Sequence, residues 1–336
     1  MTRRHPYVVC SHAGPFLNPP RVPLPAPRSV PNRSVKYTDG LVSEPIVGQT
    51  AAMDERSPGI PAPAAPVPAR VVPASSPDQP APVTVEVQDR VVVITIQRPP
   101  HNLLTEPDLR AIADALHEPV PRARAVVLHS VGRSFCAGAN FRSDVAPDPT
   151  DADAFMTRTS AFYAQAERVF AAPLPTVVAV HGAAIGAGFG LAMACDIRVA
   201  GEAAWFQANF VTLGIHPGFA LSTTVPQAVG SGRAADVLLT GRRVPADEAV
   251  RIGLAQRLVP GGAELEAAIE IATAIAAGAP LATRATRATL RANLAEEAAR
   301  AMAHELQEQS RLAGTADAKE GVRAMLEKRA PRFENS

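Results

Sequence analysis

Two short glycine-bearing segments carry the residue types from which an anion-stabilising site is built. The first is Ser134-Phe-Cys-Ala-Gly-Ala-Asn140, and the second is His181-Gly-Ala-Ala-Ile-Gly-Ala-Gly-Phe-Gly190. Each follows an apolar run of strand character, at 125–129 and 176–180, and the second leads into a helical stretch at 191–194. Small residues let a main chain approach a ligand closely, and a helix start offers unpaired N–H groups at the positive end of its dipole. Two such turns facing one point make a two-donor hole for a developing oxyanion. For either turn alone, glycine serving only tight strand–helix packing is the alternative. A dinucleotide site fits poorly. Gly186-Ala-Gly188-Phe-Gly190 is spaced Gly-x-Gly-x-Gly rather than Gly-x-Gly-x-x-Gly, and Gln207-Ala208-Asn209 stands where that site requires an acidic residue.

The elements that must position these turns are legible from periodicity. Val83-Thr-Val-Glu-Val87 alternates apolar and polar residues as a half-buried strand does, and Gln88-Asp89-Arg90 turns the chain into a more buried strand at 91–96. Leu109, Ile112, Ala113 and Leu116 recur at helical spacing over 106–116, with Thr105 as the N-cap and Pro107 in the first turn. Strands at 125–129, 176–180 and 197–200 then alternate with helices at 154–170 and near 188–194. That rhythm predicts an α/β fold with βα crossovers. From 264 to 329 the pattern is helical, and no internal repeat is present.

The 336 residues suffice for one large domain or two ordinary ones. Lys and Arg number 33 against 32 Asp and Glu, so the net charge of +1 gives no electrostatic case for nucleic acid or an anionic membrane as partner. Cys10, Cys136 and Cys195 are too few and too scattered for a disulfide framework or a zinc site, so no metal is expected and the setting reads as a reducing cytoplasm. No apolar run reaches membrane-spanning length, and no apolar core follows the N-terminal arginines as a secretory signal requires. Residues 1–82 hold 18 of the 33 prolines, including Pro-Ala-Pro-Ala-Ala-Pro at 61–66, and read as a disordered or polyproline-like extension. A docking tail for proline-recognising modules, or a true start further on at Met53, are the other readings of that stretch. The expected organisation is an extension over 1–82, a core over 83–260 and a helical subdomain over 261–336.

The order of motifs resembles the crotonase (enoyl-CoA hydratase/isomerase) superfamily across 83–333. Arg98-Pro99 followed by Asn102-Leu-Leu is similar to its first substrate loop, and Phe135-Cys-Ala-Gly-Ala-Asn140 to its first oxyanion turn, with Asn140 where Asp is usual. His181-Gly-Ala-Ala-Ile-Gly-Ala-Gly188 and then Leu191-Ala-Met-Ala-Cys-Asp-Ile-Arg198 resemble the second oxyanion turn with its helix and strand. Gly201-Glu-Ala-Ala-Trp-Phe206, Leu213-Gly-Ile-His-Pro-Gly218, Leu239-Thr-Gly-Arg242 and the segment from Glu320 to Phe333 follow in the family's order. The resemblance implies a crotonase-like (ββα) superhelix core with a C-terminal helical oligomerisation subdomain. It also implies a homotrimer or hexamer, and an acyl-CoA thioester as substrate, with coenzyme A entering only as part of that substrate and no separate cofactor. The backbone N–H groups of Ala139 and Ala187 would hold the thioester oxygen. His101, Leu103, Ala137 and Phe141 would line the coenzyme A entrance, with Asn140, Gly186, Asn209, Phe210, Leu213 and Gly214 around the substrate.

One departure is informative. The two glutamates that hydratases of this family use fall, position by position, on Gly190 and Phe210, and neither can move a proton. General acid–base groups contribute about 10²–10⁴ each, so the resemblance supports a thioester site while leaving hydration, isomerisation, thioester hydrolysis, decarboxylation or non-catalytic acyl-CoA binding open. His216, on the loop expected to border the acyl pocket, is the candidate replacement acid–base, histidine being the side chain that titrates near neutrality. Its alternative is a loop histidine bonded to backbone. Asp144 and His181 read as ordinary solvated or structural residues, and Cys136 as core. Arg98, Arg142, Arg329 and Arg332 stand where the family reaches coenzyme A phosphates, with solvated surface charge as the alternative.

Overall fold

The computed structural model describes residues 67–71, 81–140 and 152–335, all within the unit that clusters from Pro61 to Ser336. Asp144 and two predicted residues, Phe141 and Arg142, lie outside them. The chain begins as an antiparallel ribbon of β1 (Val67–Val71), β2 (Val83–Gln88) and β3 (Val91–Ile96). Within the stretch expected as an extension, the backbone at 67–71 pairs with β2, with Pro68 inside the strand. A two-residue turn at Asp89 and Arg90 sets the β2–β3 register, with Asp89 in the left-handed region at φ +54°. Helix α1 (Glu106–His117) starts where the sequence signalled. The Thr105 hydroxyl accepts from the Asp108 N–H, and the Asp108 carboxylate accepts from the Thr105 N–H, a capping box that satisfies two otherwise orphaned donors.

The chain then alternates strand and helix through β4 (Ala125–Ser130), α2 (Ala152–Phe170), β5 (Thr176–Val180), β6 (Ala183–Ile185), α3 (Ala187–Ala194), β7 (Ile197–Gly201) and β8 (Trp205–Gln207). It continues through α4 (Leu221–Val229), α5 (Ser231–Thr240), β9 (Arg243–Pro245), α6 (Ala246–Arg251) and β10 (Arg257–Val259). The main sheet runs β1-β2-β3-β4-β5-β7-β10 and is parallel from β3 onward, while β6, β8 and β9 form a second, three-stranded sheet. Parallel strands covered on both faces read as continuous apolar runs, and β3 and β5 are buried at every position. One face carries the larger core of α1 to α4, and the other is covered by Ala268, Ala272 and Ala276 of α7 (Glu264–Ala277). Helices α8 (Pro280–Leu290), α9 (Leu294–Ala313) and α10 (Ala316–Glu327) complete the chain, with α9 packed on α2 and α10 on the short 3-10 turn Val211–Leu213.

Candidate active site

The first glycine-bearing turn is built as a backbone ribbon. Ala137 N–H donates to His101 O at 2.8 Å, Leu104 N–H to Gly138 O at 3.0 Å and Asn140 N–H to Leu104 O at 2.8 Å. His101 and Leu104 are thereby laced to Ala137, Gly138 and Asn140 in one strip that carries Leu103 and Ala139 between its bonds. Its anchor is Asn102, fully buried, whose amide donates to Val131 O at 2.7 Å and Ser134 O at 2.8 Å while its Oδ1 accepts from Arg98 N–H. Along this strip the bonds alternate around Ala139, whose own N–H donates to no described backbone carbonyl.

The second turn is zipped to the first through Cys136. Cys136 N–H donates to Ala183 O at 3.0 Å, and Ile185 N–H returns to Cys136 O at 2.9 Å. Gly188 is required by this closeness, because a Cβ there would lie 2.0 Å from Cys136 O. Gly186, at φ +53°, caps α3 without a side-chain hydrogen bond, so Ala187 is the first helical residue and its N–H keeps the open donor of a helix start. Its backbone is helical, a conformation alanine adopts freely. Ala139 and Ala187 are each only half-buried, so both remain within reach of a ligand. Asn209 and Phe210 flank this turn: a Cβ at Gly186 would lie 3.5 Å from Asn209 Oδ1 and 3.7 Å from Phe210 Cζ.

The remaining predicted positions make contacts of their own. His216 Nδ1 contacts Pro217 O at 2.7 Å, its ring stands edge-on to His304 of α9 with centroids 5.8 Å apart, and its carbonyl accepts from Gln309. Leu213 and Gly214 back onto Gly321 and Ala318 of α10, where added Cβ atoms would meet backbone at 2.5–2.8 Å. Arg98 pairs with Asp108 at 2.8 Å, and Arg329 pairs with Glu320 and Glu327. His181 contacts Gly132 O, and burial pushes the Cys136 thiol up to about 12, far from a thiolate nucleophile.

Two residues beside the site were not singled out in the sequence. Phe219, fully buried, lies on Gly190, where a Cβ would come within 2.5 Å of the Phe219 Cβ and Cδ1. Glu305 of α9, also fully buried, accepts from Ala220 N–H at 2.8 Å and Ser222 N–H at 3.0 Å. Burial raises its pKa despite these donors. The bare Cα of Gly190 hints that a large neighbour fills the space, but which one is set by chain folding.

A family model described as enoyl-CoA hydratase/isomerase matches residues 86–336. A Mycobacterium tuberculosis protein named "Probable enoyl-CoA hydratase echA8" is 34% identical over 254 residues, covering 75% of this chain and 97% of its own. The crystal structure of an enoyl-CoA hydratase/isomerase from Pseudoalteromonas atlantica matches with TM-score 0.66 and 31% identity over 75% of this chain and all of that one. An enoyl-CoA hydratase from Mycobacterium avium subsp. paratuberculosis matches with TM-score 0.65 and 30% identity over 76% and 99%. The chain belongs to the enoyl-CoA hydratase/isomerase family and has the crotonase fold.

Proposed function

We propose that this protein is an acyl-CoA enzyme that holds the thioester oxygen between the N–H groups of Ala139 and Ala187 and stabilises the enolate formed there. The observation that carries this reading is the pairing of two open backbone donors on turns laced together through Cys136. Donors fixed in a partly water-excluded place stabilise a developing oxyanion without reorganising. The substrate enters as its coenzyme A thioester along the His101–Leu103 strip, and the reading needs no separate cofactor.

The reaction we propose is other than glutamate-dependent hydration. Gly190 and Phe210 occupy the two positions at which the family resemblance places hydratase glutamates, and Phe219 fills the room a side chain at 190 would need. Isomerisation and decarboxylation would place an enolate oxygen in that hole, and thioester hydrolysis the oxyanion of the tetrahedral intermediate that releases coenzyme A as its thiol. Acyl-CoA binding without turnover is the second reading, favoured by those same non-ionisable residues. The deciding experiment incubates the full chain with crotonyl-CoA, a 3-enoyl-CoA, a malonyl-type thioester and saturated acyl-CoAs, with products read by mass spectrometry. Water addition to crotonyl-CoA at an enzymatic rate would overturn the proposed departure from hydration. Double-bond migration, free coenzyme A or loss of carbon dioxide would name the reaction. The same panel run on His216→Ala assigns proton transfer to that histidine if turnover is lost while binding persists.

A further inference from the structure

Phe219 and Ala220 lead into α4 with left-handed backbones, φ +59° and +56°. A bulky residue keeps that conformation only where its surroundings over-determine it. They do so here. Glu305 ties down Ala220 and Ser222 by three hydrogen bonds, one of them from the Ser222 hydroxyl, and the Tyr163 hydroxyl accepts from Phe219 N–H at 3.3 Å. The turn so held seats the Phe219 ring on Gly190, and the aromatic wall continues through Phe162 and Phe170 of α2, at centroid distances of 6.0 and 6.2 Å. Gly190 follows Ala187 by three residues on α3, and residues three apart share a helix face. The ring therefore packs on the face of α3 that Gly190 shares with Ala187.

We propose that Phe219 limits the size of the acyl group accepted next to the thioester, and that Glu305 is the positioning residue that keeps it there. This rests on the reading of Ala139 and Ala187 as the thioester site. A close-packed aromatic wall leaves no room for added ligand atoms, and deleting the ring leaves a cavity the surroundings only partly refill. The test is calorimetric titration of the full chain with acetyl-CoA, 2-methylbutyryl-CoA and octanoyl-CoA. In Phe219→Ala, affinity for the larger groups relative to acetyl-CoA is expected to rise at least about tenfold, the scale on which a pocket discriminates one or two methylenes. Phe219→Leu should give an intermediate ratio, and it carries the test if the alanine variant shows no cooperative melt. Glu305→Gln, which cannot accept from both backbone donors, should move the ratio in the same direction. Uniform weakening for all three ligands would make Glu305 merely structural and overturn its positioning role. Unchanged ratios in both Phe219 variants would overturn the proposal alone, whereas native protein binding none of the thioesters would overturn the site reading beneath it.

Discussion

Ala187 is where the candidate chemistry can be tested with least disturbance. Its side chain is a methyl group, so only the main-chain N–H is at issue, and the first helical position is one at which proline is tolerated. Ala187→Pro is expected to lower kcat/KM for the true substrate by roughly 10²–10³, the usual cost of one oxyanion donor, while the thermal midpoint stays close to native. A loss confined to stability, with turnover intact, would remove Ala187 from the hole. The cysteines illustrate the opposite case: Cys136 and Cys195 are fully buried, and burial pushes both thiols up to about 12. Cys136 matters through its backbone, which laces the two turns, and not through its sulfur.

At the scale of elements, the strands and helices that present the turns are held by a part-buried ionic junction. Asp196, between α3 and β7, accepts from Thr176 N–H at 2.7 Å and from Arg287 of α8 and its C-cap Arg291, each at 2.8 Å. Arg291 also donates to Phe170 O and Ala194 O, the last carbonyls of α2 and α3, where a cation complements the helix dipole. Burial pulls the Asp196 pKa upward, but Arg291 and Arg287 outweigh it and bring it below its ordinary 3.8. A carboxylate lowered in the folded state contributes stability that is present above its unfolded pKa and lost as pH falls through the folded value. Asp196→Asn leaves two part-buried guanidinium groups without their counter-charge, at a cost of about 3 kcal/mol. The expected drop in melting temperature at pH 7 is on the order of 10 °C, and it should shrink below pH 4 as native Asp196 itself protonates.

At the scale of the molecule, α8 is held by its arginines yet buries none of its own side chains, leaving Leu281 and Leu290 about four-fifths exposed, at 79% and 81%. Singly exposed leucines are ordinary on a free surface, whereas leucines on both sides of one helix are also what an association that wraps it would cover. A closed homo-oligomer, expected from the sequence as a trimer or hexamer, would cover it. Sedimentation equilibrium is expected to give three or six times the 35.2 kDa chain mass, with Leu281→Glu and Leu290→Glu together shifting it toward the monomer. A monomeric native protein at micromolar concentration would sink that expectation. Among the described residues no single helix is long and apolar enough to cross a membrane.

The sequence by itself determined the strand–helix rhythm, the Thr105 cap, the two turns and the absence of an ionisable residue at 190 and 210. These are matters of periodicity, side-chain type and local hydrogen bonding, so they need no knowledge of distant neighbours. The family resemblance carried by its motifs indicated which backbone N–H groups to examine, those of Ala139 and Ala187. What only the tertiary structure decided lies in contacts far apart in the chain. Val67–Val71 was hidden among prolines because its strand character comes from the partner β2 offers. The place of His216 in its loop points toward the pocket, yet its ring contacts Pro217 and His304 of α9, 88 residues further on. Phe219 over Gly190 and Glu305 beneath Ala220 likewise join segments 29 and 85 residues apart. A buried residue's role is set by what packs against it, and packing partners at such separations are chosen by the fold as a whole.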